Sequence, residues 1–290
     1  MPNTARVALE STVITHGLPH PHNARLARQM EANVAAHGAT PATIGIIAGE
    51  PIVGLSPAQL DALATTAGAL KVSMRDLPAA LARRAHGGTT VSATMWLAHR
   101  AGIEVFATGG IGGVHRVVPG AGASHDVSND LDALGRIPMT IVCAGPKAIL
   151  DLAATREQLE TRGVTVVGYQ TDTMPGFYYT DSGLPVDVRC DSVEAIAEIV
   201  RARRSLDLPA ATLVVVPVPE EAALARKDVE PAIETAVREA EARGIRAADA
   251  TPYLLAAVAA LTEGRSREAN LALLLHNAGV AARLAVALAG

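Results

Sequence analysis

Two hydrophobic periods alternate along this chain. Short runs rich in Val, Ile and Leu fall at residues 6–9, 43–48, 51–54, 103–107, 139–143, 164–168 and 213–216, and each predicts a strand. Between them, residues 23–37, 91–100, 191–203, 229–243, 252–262 and 266–288 place apolar positions three and four apart and predict helices. Gly38 is the stop of the first helix, and Gly49-Glu50 the turn between two strands. Ser56-Pro57-Ala58-Gln59 has the spacing of a capping box with proline in the first turn, and Thr155 to Gln158 repeats that spacing. The strand at 139–143 runs into Ala144-Gly145-Pro146-Lys147 and then a helix, which places Lys147 in a first helical turn. This alternation predicts one α/β domain, a mixed sheet with helices on both faces, over the whole of 1–290. Residues 170–190 are the longest stretch without a period, and a loop of that length is often functional.

Composition narrows the function. Apolar residues make up 49% but aromatics only 2%, so the core is built from Ala, Val, Leu and Ile, and aromatic platforms for single-stranded nucleic acid are lacking. A net charge of -4 advertises no basic face for a polynucleotide or an anionic membrane. The most apolar stretch, 271–289, contains His276, Asn277 and Arg283 and reads as a buried helix, not a membrane span. The N-terminus has no signal-peptide core, which makes a cytoplasmic protein the default expectation. Cys143 and Cys190 have no metal-site spacing and are read as small buried apolar residues.

Four places hold candidate chemistry. Lys147 follows a strand end, where ligands of α/β sheets collect, and a helix N-terminus there favours the neutral, nucleophilic amine. Asp126, Ser128 and Asp130 alternate ahead of a helix; they suit a Mg²⁺- or Mn²⁺-like ion, or equally an ordinary helix cap. Two glycine runs, GGTTVSAT (87–94) and GGIGGVHR (109–116), offer backbone donors to an anion, with His115 and Arg116 beside the second; tight-turn glycine is the alternative. Glu10, at another strand end, is a candidate general acid or base, or simply an edge glutamate.

ALESTVITHGLP, KVSMRDLP, GGTTVSATM, VFATGGIGGVHR, DVSNDL, CAGPKAILDL and NLALLLHNA, in that order over almost the whole chain, resemble the pseudouridine-5'-phosphate glycosidases, which include the indigoidine synthase A-like proteins. The resemblance implies an α/β/α fold and a homotrimer. It implies reversible cleavage of pseudouridine 5'-phosphate to uracil and ribose 5-phosphate, through a Schiff base between a lysine and the opened ribose. Residue by residue, it implies Lys147 as nucleophile, Glu10 as proton donor and acceptor, and Asp126 as ligand of Mn²⁺ or a similar divalent cation. Lys71, Val91, Ser128, Asn129 and Asp130 match substrate-binding positions, and His115 and Asn270 fall in strings that line the family's site. Two departures stand out: a longer connection after VHR, and Pro146 before the lysine. The rival readings are another Schiff-base lyase of a sugar phosphate, and a phosphoribosyl-binding accessory protein without catalysis.

Overall fold

The computed structural model describes residues 5–117, 124–245 and 250–290. In chain order the first half comprises β1 (Arg6–Leu9), α1 (His22–Ala36), β2 (Thr40–Ile47), β3 (Glu50–Val53), α2 (Pro57–Thr65), β4 (Leu70–Val72), α3 (Leu77–Ala82), β5 (Gly87–Thr89), α4 (Val91–Arg100) and β6 (Val105–Ala107). The second half continues with β7 (Val114–His115), α5 (Asn129–Leu134), β8 (Thr140–Cys143), β9 (Leu150–Asp151), α6 (Leu152–Thr161), β10 (Thr165–Tyr169), β11 (Val188–Cys190), α7 (Val193–Ser205) and β12 (Thr212–Val215). Three helices close the chain: α8 (Arg226–Ala242), α9 (Ala250–Leu261) and α10 (Arg265–Ala289).

Ten strands form one mixed sheet in the order β11-β10-β12-β8-β6-β1-β2-β5-β4, with β3 paired to β2. The run from β11 to β2 is parallel throughout, and β5 and β3 pair antiparallel with β2. The central strands β8, β12 and β6 are buried on both sides, the reason they read as unbroken apolar runs. Helices α1, α7 and α10 pack on one another along one layer, while α4, α5 and α6 form a second. This is the mixed sheet between helical layers that the alternation predicts.

The helix α10 has the length and hydropathy to cross a membrane, yet it packs against α1, α7, β1, β6 and β8 as the core helix of this layer. Gly279 lets it approach α1 closely: a Cβ there would stand 3.2 Å from His37 Cε1. Cys143 and Cys190 are buried and unpaired, and burial pushes the Cys143 thiol up to about 12.

Several boundaries differ from expectation, each for a local reason. The hairpin turn is Ala48-Gly49, both at positive φ, one residue earlier than read. Ser56 and Gln59 do form a reciprocal capping box. Thr155 does not cap: α6 starts earlier because Asp151 accepts from Ala154 N at 2.9 Å, and α7 starts at Val193 with Ser192 as its cap. The largest correction concerns residues 144–149, which form no helix. Pro146 makes a β-bridge with Ile111 instead of opening a first turn. The longer connection after VHR falls in part on 118–123, outside the described residues.

The glycines of 87–88 lie in β5 and not in a turn. Their small size is needed for close packing: a Cβ on Gly88 would sit 2.7 Å from the Ser11 carbonyl oxygen. Gly88→Ala should therefore destabilise the fold by about 1–3 kcal/mol, the usual cost of overpacking. Urea unfolding measures it, and a midpoint equal to that of the unmutated protein would refute the packing argument.

Candidate active site

Three neighbouring parallel strands deliver the site. The sheet places β6 between β1 and β8, so the residues following each emerge side by side at the carboxyl edge. Glu10 follows β1, Thr108 follows β6, and the segment leading to Lys147 follows β8. Together they line a cleft of about 490 Å³. The ten residues that the family resemblance singles out meet there: Glu10, Lys71, Val91, His115, Asp126, Ser128, Asn129, Asp130, Lys147 and Asn270.

The Glu10 side chain is held on both oxygens. The hydroxyl of Thr12 donates to Oε2 and that of Thr108 to Oε1. Thr108 is itself fixed from behind, because the buried Asn277 on α10 donates from Nδ2 to its carbonyl at 2.9 Å. Among the described residues, Asn277 Oδ1 has no donor. Neither Thr108 nor Asn277 was flagged from the sequence. The available signal was an amide within the most apolar stretch of the chain, read above only as evidence against a membrane span.

Lys147 reaches the cleft from an irregular loop. Its amide donates to Ile111 O at 3.1 Å, and Ile111 N donates to Gly145 O at 3.1 Å. The run GGIGG is thus the backbone partner of the lysine loop. Helix α6 begins only at Leu152, so the helix-dipole argument for a neutral Lys147 amine does not apply. Arg116, considered above for anion binding, is committed elsewhere. It donates to Ala148 O at 2.8 Å and Leu150 O at 2.9 Å, and pairs with Glu230.

The residues near Asp126 divide into two kinds. Ser128 caps α5, accepting from Asp130 N at 3.2 Å, so the helix-cap reading holds for it. Asp130 is buried, and its carboxylate accepts from Ser92 N at 3.0 Å and Gly112 N at 2.9 Å. It thereby occupies part of the α4 N-terminus, leaving the Val91 N–H, which has no intrahelical acceptor, at the cleft. Asp126 is exposed, and its backbone accepts from His115 N at 3.0 Å and donates to Ser124 Oγ at 3.2 Å. Among the described residues no cluster of three His, Cys, Asp or Glu side chains forms a metal cage.

The two cleft histidines report the local electrostatics. Burial lowers the His115 pKa from its ordinary value; Asp126 pulls it upward, and Lys147 and Lys71 push it further down. Burial and then Lys71 lower His16 as well, and Thr15 Oγ1 lies 2.7 Å from His16 Nδ1. His16 and Phe177 line the cleft and were not predicted. Phe177, at a φ of 68°, belongs to the stretch 170–190, whose centre is buried. Of that stretch, Phe177 lines the cleft.

A family model described as "Indigoidine synthase A like protein" matches residues 2–287. The chain belongs to this family. It is 52% identical to a pseudouridine-5'-phosphate glycosidase of Symbiobacterium thermophilum, over 99% of this chain and 93% of that one. It is 54% identical to one of Chloroflexus aurantiacus, over 97% and 93%. Among solved structures, an indigoidine synthase A-like protein of Thermotoga maritima superposes with a TM-score of 0.91 at 36% identity, covering 100% of this chain and 95% of that one. A prealnumycin C-glycosynthase in complex with ribulose 5-phosphate gives 0.88 at 39% identity, covering 98% and 91%.

The arrangement around His115 predicts a titration. Its imidazole should titrate below about 6.5, the ordinary histidine value. Asp126→Asn should lower it further, because Asp126 is the one neighbour pulling it up. NMR of the imidazole protons against pH measures both, and a rise on Asp126→Asn would contradict this electrostatic picture.

Proposed function

We propose that the protein cleaves the C–C glycosidic bond of pseudouridine 5'-phosphate, giving uracil and ribose 5-phosphate. One observation carries the reading. A lysine and a carboxyl group from the ends of the two strands that flank β6 share a cleft with a second lysine and two histidines, in a chain 52% identical to a glycosidase of that name.

The chemistry follows from what the bond lacks. A carbon leaving group offers no oxygen to protonate, so the two-carboxylate route of ordinary glycosidases does not serve. In this reading the neutral amine of Lys147 attacks C1'. The N–C1' bond forms, C1'–O4' breaks, and O4' takes a proton as the ring opens. Protonation of uracil C5 then lets C1'–C5 break, while the nitrogen lone pair closes a C=N bond. Water hydrolyses this iminium, returning the amine and releasing ribose 5-phosphate. Glu10 is the proton carrier, and the hydroxyls of Thr12 and Thr108 fix its orientation. Lys71, His115 and the Val91 N–H offer positive charge and donors for the phosphate.

Asp126 is the residue that would hold a divalent cation such as Mn²⁺. A single exposed carboxylate suits an ion that keeps most of its waters and takes the rest of its ligands from the substrate. Such an ion would neutralise substrate charge beside His115. Excess EDTA should abolish turnover and Mn²⁺ restore it; undiminished activity under chelation would remove the metal from this reading.

The likeness to a C-glycosynthase favours one second reading, in which the same iminium is used to build a C–C bond onto another carbon nucleophile. Uracil release from pseudouridine 5'-phosphate, measured beside a panel of other ribose-phosphate C-glycosides, separates the two.

The covalent step has its own test. Borohydride added during incubation with ribose 5-phosphate and uracil should trap a reduced pentose phosphate on the peptide carrying Lys147, located by mass spectrometry. An adduct on Lys71 would reassign the nucleophile. Turnover with no lysine adduct would end the Schiff-base proposal.

A further inference from the structure

Arg116 was a candidate anion ligand, yet it is absent from the lining of the cleft. Its guanidinium instead straddles the backbone just beyond Lys147. Nη2 donates to Ala148 O at 2.8 Å and Nε to Leu150 O at 2.9 Å. The remaining edge faces α8, where Nη1 donates to Glu230 Oε2 at 2.7 Å and Nη2 to Oε1 at 3.2 Å. Tyr179 adds its hydroxyl to Glu230 Oε1 at 2.8 Å. Both Arg116 and Glu230 are only 20% exposed, so solvent screens this forked pair less than a surface one.

The loop that carries Lys147 therefore has two supports. On one side Ile111 pairs with its backbone, and on the other Arg116 gathers its carbonyls. The second support depends on Glu230, whose charge and fork orient the guanidinium. Glu230 sits on α8, which packs on α9, and α9 contributes Thr251, Pro252 and Leu255 to the cleft wall. One ion pair ties the nucleophile loop to the helical hairpin that walls the site.

We propose that Arg116 and Glu230 are a positioning pair for Lys147: the pair sets the backbone on which the amine is carried, without touching substrate. This rests on the reading of Lys147 as nucleophile. A lysine stem has four rotatable carbons, so a small shift in its backbone displaces the amine from the attack position. Loss of positioning acts on the covalent step more than on substrate binding.

The test uses Glu230→Gln and Arg116→Lys in the full-length protein. Glu230→Gln keeps the shape and an acceptor for Tyr179 while removing the charge, so it should fold. Each variant should lose roughly tenfold or more in kcat, the effect of one charged hydrogen bond, with KM changed by no more than about twofold. The rate of borohydride trapping on Lys147 should fall by the same factor. The double variant should be no worse than the worse single one, because the two residues act as a unit. Amide hydrogen exchange of the peptide spanning 144–151 should quicken in both variants, with Tm little changed. That measurement needs no turnover and stands if the assigned substrate is wrong. Failure of the unmutated protein to release uracil or form an adduct would instead count against the function. Unchanged exchange in 144–151, or normal kcat and trapping in the folded variants, would overturn the positioning role.

Discussion

The backbone hydrogen bonds between Ile111 and residues 145–147 are the constraint from which the site follows. They turn an irregular connection after β8 into a seat at a fixed distance from the end of β6. The surrounding glycines serve this approach. A Cβ on Gly110 would lie 2.8 Å from Gly145 O, and one on Gly145 would lie 2.7 Å from Pro175 O. Gly145 also sits at a φ of 82°, where L side chains are strained. Here the small residue brings two chains and the buried stretch around Phe177 into contact. The glycine run, read in sequence as an anion loop or as tight turns, allows this close packing and also lines the cleft through Gly109, Gly110 and Gly112.

The layered α/β fold was legible because its signals are local. Strands buried on both faces give runs such as Thr212–Val215, and helices with one apolar face give the other period. Ser56 and Gln59 announced their cap because both partners lie within four residues. The short strands β4, β5, β7 and β9 escaped, since two or three residues carry no period, and Gly87 and Gly88 have no strand propensity at all. Residues 144–149 misled for a related reason. Proline and lysine after a strand fit a first helical turn equally well, and only the pairing with Ile111, far along the chain, decides against it.

The site divides along the same line. The resemblance named Glu10, Lys147 and their companions, and the fold brings all of them to one cleft. What fixes them in place could not be read from the strings. Thr108 orients Glu10 from 98 residues away, and Asn277 holds Thr108 from 169 residues away. Arg116 looked like part of the ligand site because it adjoins His115, yet it lies just past the end of β7, where its side chain reaches the carbonyls of Ala148 and Leu150. His115 faces the cleft, and Arg116 turns to the far side of the loop.

That division of labour has a physical logic. A guanidinium is always charged and binds through a rigid fork, whereas an amine can lose its proton and become a nucleophile. Placed in the cleft, Arg116 would add another permanent cation beside Lys71 and Lys147. Placed behind the loop, it donates to the carbonyls of Ala148 and Leu150, and Glu230 balances its charge outside the cleft. The cleft is lined by Lys71 and Lys147, by Arg75 and Arg162, and by the exposed Asp126, while Asp130 is withdrawn onto the backbone amides of Ser92 and Gly112. On the proposed reading, Glu10 and Lys147, whose protons must move, face the cleft, while Arg116 and Glu230, which only hold backbone, are tied into the frame behind it.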